Sequence, residues 1–287
     1  MKTYLECIPC FIKQSLEASR MATDDERVHI EVLKEVMNHL KSISFTNSPP
    51  ELSREVHGII RDITKSEDPY KEIKETSNKS AKNQYPHLKK MLEESDDPLL
   101  MAIKLAIVGN VIDFGTSNRY NVEDMLNNLV KKDFDDESYH HFKNSLFNAK
   151  TILYLADNAG EIFFDKLLIE ELIKQGKTIT YVVRANPIIN DATIQDAKFA
   201  GIDKIAKVIE ADAGQKQSAP GVVLNYTSNK FKDFFESSDM VVSKGQGNYE
   251  GLSNVDRDVF FMLVVKCPLV AQDISEEVGK LILKVKK

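Results

Sequence analysis

A three-layer α/β/α fold with a mostly parallel sheet, joined to a helical N-terminal region, is the fold class this sequence predicts. Three observations lead there. From about Lys150 apolar runs of strand length alternate with segments of helical period, and that alternation gives parallel strands with helices on both faces. Before that point apolar residues recur only at spacings of three and four, as in Val28, Val32, Val36 and Leu40, which is the pattern of amphipathic helices. The 287 residues exceed what one average domain needs, so the chain is expected to be one large domain or a core with an appendage.

The elements follow in order. "CFIKQSLEASRM", "DDERVHIEVLKEVMNHLKSI" and "PPELSREVHGIIRDI" read as helices, followed by a long polar stretch through Met91. Pro49-Pro50, Pro69 and Pro98 punctuate these segments. Residues 1–95 are assigned to a helical N-terminal or cap region, and 96–287 to an α/β metal- and phosphate-binding domain. In the second region "TILYLAD" is a continuous buried strand and "EIFFDKLLIEELIKQG" a helix closed by Gly176. "TITYVVRA" is a strand, "ATIQDAKFAG" a helix and "KVIEA" a short strand. "YTSNKFKDFFESS" then gives a helix, "DMVVSKG" a strand, and "VFFMLVVKCPLVA" a last apolar run. No repeat or low-complexity tract interrupts them.

Composition sets outer limits. With 42% hydrophobic and 29% charged residues and a net charge of −6, the chain has the profile of a soluble globular protein and no basic footprint for a nucleic-acid polymer. The most apolar stretch, "LLMAIKLAIVGNVIDF" (99–114), is interrupted by Lys104 and Asp113, so no membrane span is expected. The start "MKTYLECIPC" has no apolar signal region, and three cysteines make a disulfide framework a poor fit; a cytoplasmic location is expected.

Ligands of open parallel sheets bind beyond the carboxyl ends of the strands, so the residues there are the candidates. The first strand leads to Asp157, Asn158, Gly160 and Glu161, and the second to Arg184, Asn186, Asn190 and Asp191. The third leads to Asp212 and Gln215, and the fourth to Lys244, Gly245, Gln246, Gly247 and Asn248. A carboxylate at the end of a buried strand needs a compensating charge. Two carboxylates and a carboxamide oxygen make a hard oxygen set suited to Mg²⁺ or Mn²⁺. Gly160 permits a tight turn into a helix whose first amides attract an anion, and Lys244 with "GQGN" offers a point charge and backbone amides to a phosphate. Metal-assisted phosphoryl chemistry is the reading that joins them.

Each piece also has a plainer reading. Asp157-Asn158 and Asp191 are residue types that cap helices, and Lys244 could be a solvated lysine at a strand end. A phosphatase with an aspartyl nucleophile would want a second acid two positions on, where Ala159 stands. A dinucleotide fold would want its Gly-rich turn after the first strand, whereas "KGQGNYEG" follows the fourth. Asn110 and Asp113, three apart in "GNVIDFG", share a face if helical; they could approach the site or pair at a helix end. Cys7 and Cys10 in "CIPC" have the spacing of a second metal or redox pair, but also suit a helix start as small hydrophobes, and Cys267 is the only other cysteine.

In order, "CIPC", "GNVIDFG", "DNAGE", "RANPIINDAT" and "KGQGNYEGL" give the chain a family resemblance. It resembles the metal-dependent damage-control phosphatases once called DUF89, in the branch with an N-terminal CxxC, from residue 4 to about residue 275. The resemblance implies a divalent cofactor (Mn²⁺, Co²⁺, Ni²⁺ or Mg²⁺) on Asp157, Asn158 and Asp191, a phosphate-gripping Lys244, and Glu161 near the substrate. It also implies a small phosphorylated metabolite as substrate: damaged or unwanted sugar phosphates or nucleotides, with purine nucleotides one option. The RTxK signature of another branch is missing. The activity expected is phosphomonoester hydrolysis, with Glu161 or Asp113 as base; a protein that binds metal and phosphometabolite without turnover is the alternative. Oligomeric state is not legible.

Overall fold

The computed structural model describes residues 1–109 and 136–286. Asn110 and Asp113 lie outside the described residues. Three N-terminal helices, α1 (Cys7–Ala22), α2 (Glu26–Leu40) and α3 (Pro49–Thr64), pack through the apolar stripes that their spacing foretells. Their shared core includes Phe11 and Ala18 of α1, Val32 and Val36 of α2, and Leu52, Val56 and Ile60 of α3. Local chemistry fixes the starts. Asp25 accepts from the Arg27 amide at α2, while Ser48 and Glu51 form a reciprocal cap at α3.

The next helix, α4 (Lys71–Glu93), is the long polar stretch of the sequence. Its buried residues Ala81, Leu88 and Leu92 join the core of the α/β layer and not that of α1–α3. Apolar packing therefore divides the chain near residue 70, whereas the sequence reading divides it at 95/96. Helix α5 (Pro98–Val108) lies buried along most of its length, and α6 (Asp136–Asn148) follows the segment outside the description.

Six strands form one sheet in the order β3-β2-β1-β4-β5-β6. They are β1 (Thr151–Leu155), β2 (Thr178–Val183), β3 (Lys207–Glu210), β4 (Met240–Lys244), β5 (Val259–Val264) and β6 (Leu281–Lys286). All neighbours pair in parallel except β6, which runs antiparallel to β5. Alternate strand residues feed opposite cores, because successive side chains point to opposite faces. Ile152, Tyr154, Tyr181 and Val242 pack with α5, α6 and α7 (Ile162–Lys174) on one face. Leu153, Leu155, Val182 and Val241 pack with α9 (Asn229–Ser237), α10 (Gln246–Leu252) and α11 (Pro268–Ile274) on the other. The short helix α8 (Ile194–Ala200) follows β2. The expected three layers are present, and the sheet is mostly parallel.

Three local expectations change. The "GQGNYEG" segment is helix α10, starting one residue after Gly245, and not an open loop of amides. The last apolar run divides at Lys266 into β5 and α11, with Pro268 in the first turn of α11. The antiparallel edge strand β6 was not foreseen; its sequence "LILKVK" is too short to separate strand from helix by period.

Candidate active site

The sheet order places a topological switch point between β1 and β4: from β1 the chain moves to β2 and β3 on one side, then returns to β4 on the other. A crevice opens at such a point beyond the strand ends. Asp157 follows β1 and Gly245 follows β4, so they face each other across it. Gly245 has φ +80, and a Cβ built there would lie 2.0 Å from Asp157 Oδ2. Only glycine leaves the carboxylate its place.

The two polar turns are laced together by the backbone. Ala159 N donates to Asn190 O at 2.8 Å, and Ala192 N donates to Asp157 O at 2.8 Å. An isolated antiparallel bridge pairs Asn158 with Asp191. The capping readings fall away. Helix α7 starts at Ile162 without a side-chain cap, and α8 is capped by Thr193 with Asp196, two residues after Asp191.

Asp157 and Asp191 are both buried yet line a cavity of about 730 Å³, together with Asn158. Burial, then the neighbouring Glu161 and Asp191 carboxylates, push the Asp157 acid well above its usual range. Burial also pushes Asp191 up, to about 6, against the pull of Arg184. Carboxyls so crowded favour a cation between them. Asn158 gives both its N–H bonds to acids, to Asp157 Oδ2 at 2.7 Å and Glu161 Oε2 at 3.1 Å, so its carbonyl oxygen is the atom left for a ligand. Among the described residues no three His, Cys, Asp or Glu side chains form a complete ion-binding group. The set here, two carboxylates and a carboxamide, is of the oxygen type that hard divalent ions accept with water completing the shell.

Lys244 departs from its expected place. It is fully buried, and its ammonium donates to Glu161 Oε1 at 2.6 Å, Asp165 Oδ1 at 2.7 Å and Ala106 O at 2.6 Å. Three N–H bonds meet three acceptors, so the structure shows no donor turned to a phosphate. Tyr154 and Tyr181 hydroxyls also donate to Asp165, at 2.7 and 2.8 Å. Lys244 holds Glu161, Glu161 holds Asn158, and Asn158 holds Asp157. Glu161 is 1% exposed with both oxygens engaged, which places it as a support and not as a base open to water.

Arg184 likewise stands behind the site and not in it. Its Nε donates to Asp191 Oδ2 at 2.8 Å and its Nη2 to Asn248 Oδ1 at 2.7 Å. Asn248 also accepts from Val222 N and donates to Ala156 O and Lys244 O, a fully used carboxamide that joins the ends of β1 and β4. Asn186 is turned away, its side-chain amide donating to Gln215 O and its backbone N–H to Ser218 Oγ. At the Gly160 turn (φ +78) the glycine amide donates to Asn78 Oδ1 of α4 at 2.7 Å, so that amide serves packing and not an anion.

Cys7 and Cys10 of α1 line the same cavity, and so does Cys267. Burial and nearby acids raise the Cys7 and Cys10 thiols above their usual range. Sequence reasoning missed Cys267 in this role because 257 residues separate it from Cys10. It also missed Asn78, Asp165, Glu250 and Lys266. The offset of Asp165, four residues after Glu161 on one helix, was the available signal. Burial pushes Glu250 up to about 7.

The damage-control phosphatase ARMT1-like domain model matches residues 3–282. The chain belongs to that family. A damage-control phosphatase of Pyrococcus horikoshii is 34% identical over 98% of this chain and 97% of its own. One of Archaeoglobus fulgidus is 33% identical over 99% of both. An uncharacterized Methanocaldococcus jannaschii protein is 38% identical over 97% of this chain and 93% of its own. The crystal structure of a DUF89 family protein from Pyrococcus horikoshii superposes with a TM-score of 0.91 at 31% identity, covering both chains fully. The family's fold is thus the fold described above. No helix among the described residues is long and apolar enough to cross a membrane.

Proposed function

We propose that this member of the family is a divalent-metal-dependent phosphatase that hydrolyses phosphomonoesters of small metabolites. The observation that carries the reading is the crowding of Asp157, Asn158 and Asp191 at the switch-point crevice, at the floor of a cavity of about 730 Å³. That volume suits a sugar phosphate or a nucleoside monophosphate. The family name favours damaged or unwanted phosphometabolites; sugar phosphates and nucleotides, purine nucleotides among them, are the substrates this reading assigns.

Asp157, Asn158 and Asp191 would hold the ion, with Mn²⁺, Co²⁺, Ni²⁺ and Mg²⁺ the fitting ions for oxygen ligands. When bound it supplies a Lewis acid for a phosphoryl oxygen and a lowered pKa for water. The chain does the rest by placement. Arg184 fixes the rotamer of Asp191, and the Lys244–Glu161–Asn158 relay fixes that of Asp157. Preorganised charges of this kind lower the barrier because they need no rearrangement during reaction.

The test is phosphate release from sugar phosphates, nucleoside monophosphates and an aryl phosphate, using chelator-stripped protein with one ion restored at a time. Turnover is expected only with an ion, and to vanish in Asp157→Ala while the fold is kept. Metal-dependent turnover surviving in Asp157→Ala would overturn the ligand assignment. An ion-loaded protein that binds phosphate and releases none from any substrate would make this a binding protein instead.

A further inference from the structure

The cavity holds an acid that the ion and phosphate chemistry leaves unused. Glu250 of α10 lines it together with Gln246, one turn earlier on the same helix. That carboxylate is held in place. Gln246 Oε1 accepts the Lys266 amide N–H at 3.2 Å and Gln246 Nε2 donates to Glu250 Oε1 at 2.9 Å, so the chain after β5 sets the carboxamide and the carboxamide sets the acid. The Met1 ammonium donates to the Glu250 backbone oxygen and to Ser253 Oγ, not to the carboxylate. Glu250 Oε2 receives no hydrogen bond from the described residues, and the residue is half-buried, within reach of a ligand. An ionised carboxylate can only accept, so what this oxygen takes is a donor. Its place in the cavity follows from α10. Gly245, at the start of the helix, abuts the Asp157 carboxylate, and Glu250 lies about 7.5 Å further along the axis. A phosphoryl group at Asp157 leaves that span to the organic part of its ester, and a sugar covers it.

We propose that Glu250 reads the organic part of the substrate, its Oε2 accepting a hydrogen bond from a sugar hydroxyl while the phosphoryl group sits at Asp157, Asn158 and Asp191. The proposal rests on the phosphatase reading for its substrate but not for its test. A hydroxyl donating to a carboxylate makes a charge-assisted bond, roughly twice as strong as a neutral one. Phe11, Pro49 and Pro50 add apolar surface to the same cavity, which suits the carbon face of a sugar ring. An ester without the hydroxyl leaves the acid unpaired, and that loss is the discrimination.

Calorimetry on Mn²⁺-loaded protein with ligands that resist hydrolysis needs no turnover. The probes are the methylene phosphonate analogues of ribose 5-phosphate and glucose 6-phosphate, with methylphosphonate as the ligand that lacks a sugar. Burial lifts the Glu250 acid to about 7, so titrations at about pH 8 read its ionised form. The protein is expected to bind at least one sugar phosphonate more tightly than methylphosphonate. Glu250→Ala should weaken that binding by about ten- to a hundredfold, the loss typical of one charge-assisted hydrogen bond, and leave methylphosphonate and Mn²⁺ affinities unchanged. Glu250→Gln, which keeps the shape and an acceptor oxygen, should retain part of the sugar affinity. If substrates are turned over, the loss should appear in KM more than in kcat. Sugar affinity unchanged in Glu250→Ala would overturn the proposal, as would a protein with no preference for either sugar. An equal loss for methylphosphonate would also overturn it, making Glu250 a support for the ion site. Sugar binding that depends on Glu250 without any turnover would leave this proposal standing and remove the hydrolase reading; turnover with sugar affinity indifferent to Glu250 would do the reverse.

Discussion

Lys244 and Gly245 at the end of β4 illustrate how far a residue's chemistry depends on its placement. Breaking a buried ion pair by removing one partner costs about 3–5 kcal/mol. Lys244 sits between Glu161 and Asp165 with no exposure, so Lys244→Ala should lower the unfolding free energy by at least that range. Urea denaturation measures it, and a change below about 1 kcal/mol would mean that the buried network does not support the fold. Gly245→Ala should act differently. The φ of +80 costs a side chain about 1–2 kcal/mol, and the new Cβ must displace the Asp157 carboxylate. Misplacement of about 1 Å costs on the order of a hundredfold in rate, so activity should fall that far while most of the stability remains. Full activity in Gly245→Ala would show that the Asp157 position is not critical. Asp157, Asn158 and Asp191 were legible in sequence because polar residues end apolar strands there. The burial of Lys244 was not, because its partner Asp165 and the Ala106 carbonyl come from other elements.

Helix α3 carries a residue whose effect is read at the level of the element. His57 lies buried on the face turned toward the α3–α4 connection, with its ring 6.3 Å from that of Tyr70. Burial, then the charge of Arg61, lowers its pKa from 6.5 to about 4. The neutral ring is the form the fold accepts. Above pH 6.5 both folded and unfolded chains hold it neutral, and its contribution is fully present. As the pH falls from 6.5 toward 4 the unfolded chain takes up the proton first, and stability is lost across that window. At about 1.4 kcal/mol per unit the loss amounts to roughly 3 kcal/mol. Melting temperature followed from pH 7 to pH 4 should fall, and more gently in His57→Leu; parallel curves would refute the assignment. The helices themselves were legible, since period, proline and caps agree. The place of α4 was not, because a polar composition conceals the few apolar residues, Ala81, Leu88 and Leu92, that fasten it to the α/β core.

At the scale of the whole molecule, the cavity is made by both parts of the chain. The sheet edge supplies Asp157, Asn158 and Asp191, while α1 and the start of α3 supply Cys7, Cys10, Pro49 and Pro50, and Cys267 closes the wall from the start of α11. The parallel sheet and its expected binding edge could be read from alternation alone, but this convergence could not, because sequence separation hides that residues 7 and 267 line one cavity. Convergence makes the thiols reporters of the site. Alkylation at pH 7 should be slower than for a free thiol, since burial raises both α1 thiols, and it should quicken as the pH rises past 9. A substrate seated over Asp157 fills the space that these side chains face. Mn²⁺ with the best substrate of the panel should therefore slow the labelling of Cys7 and Cys267, read by mass spectrometry of the modified peptides. Labelling indifferent to the substrate would mean that the ligand occupies the sheet edge without reaching the helical wall, and that α1 does not help to choose it.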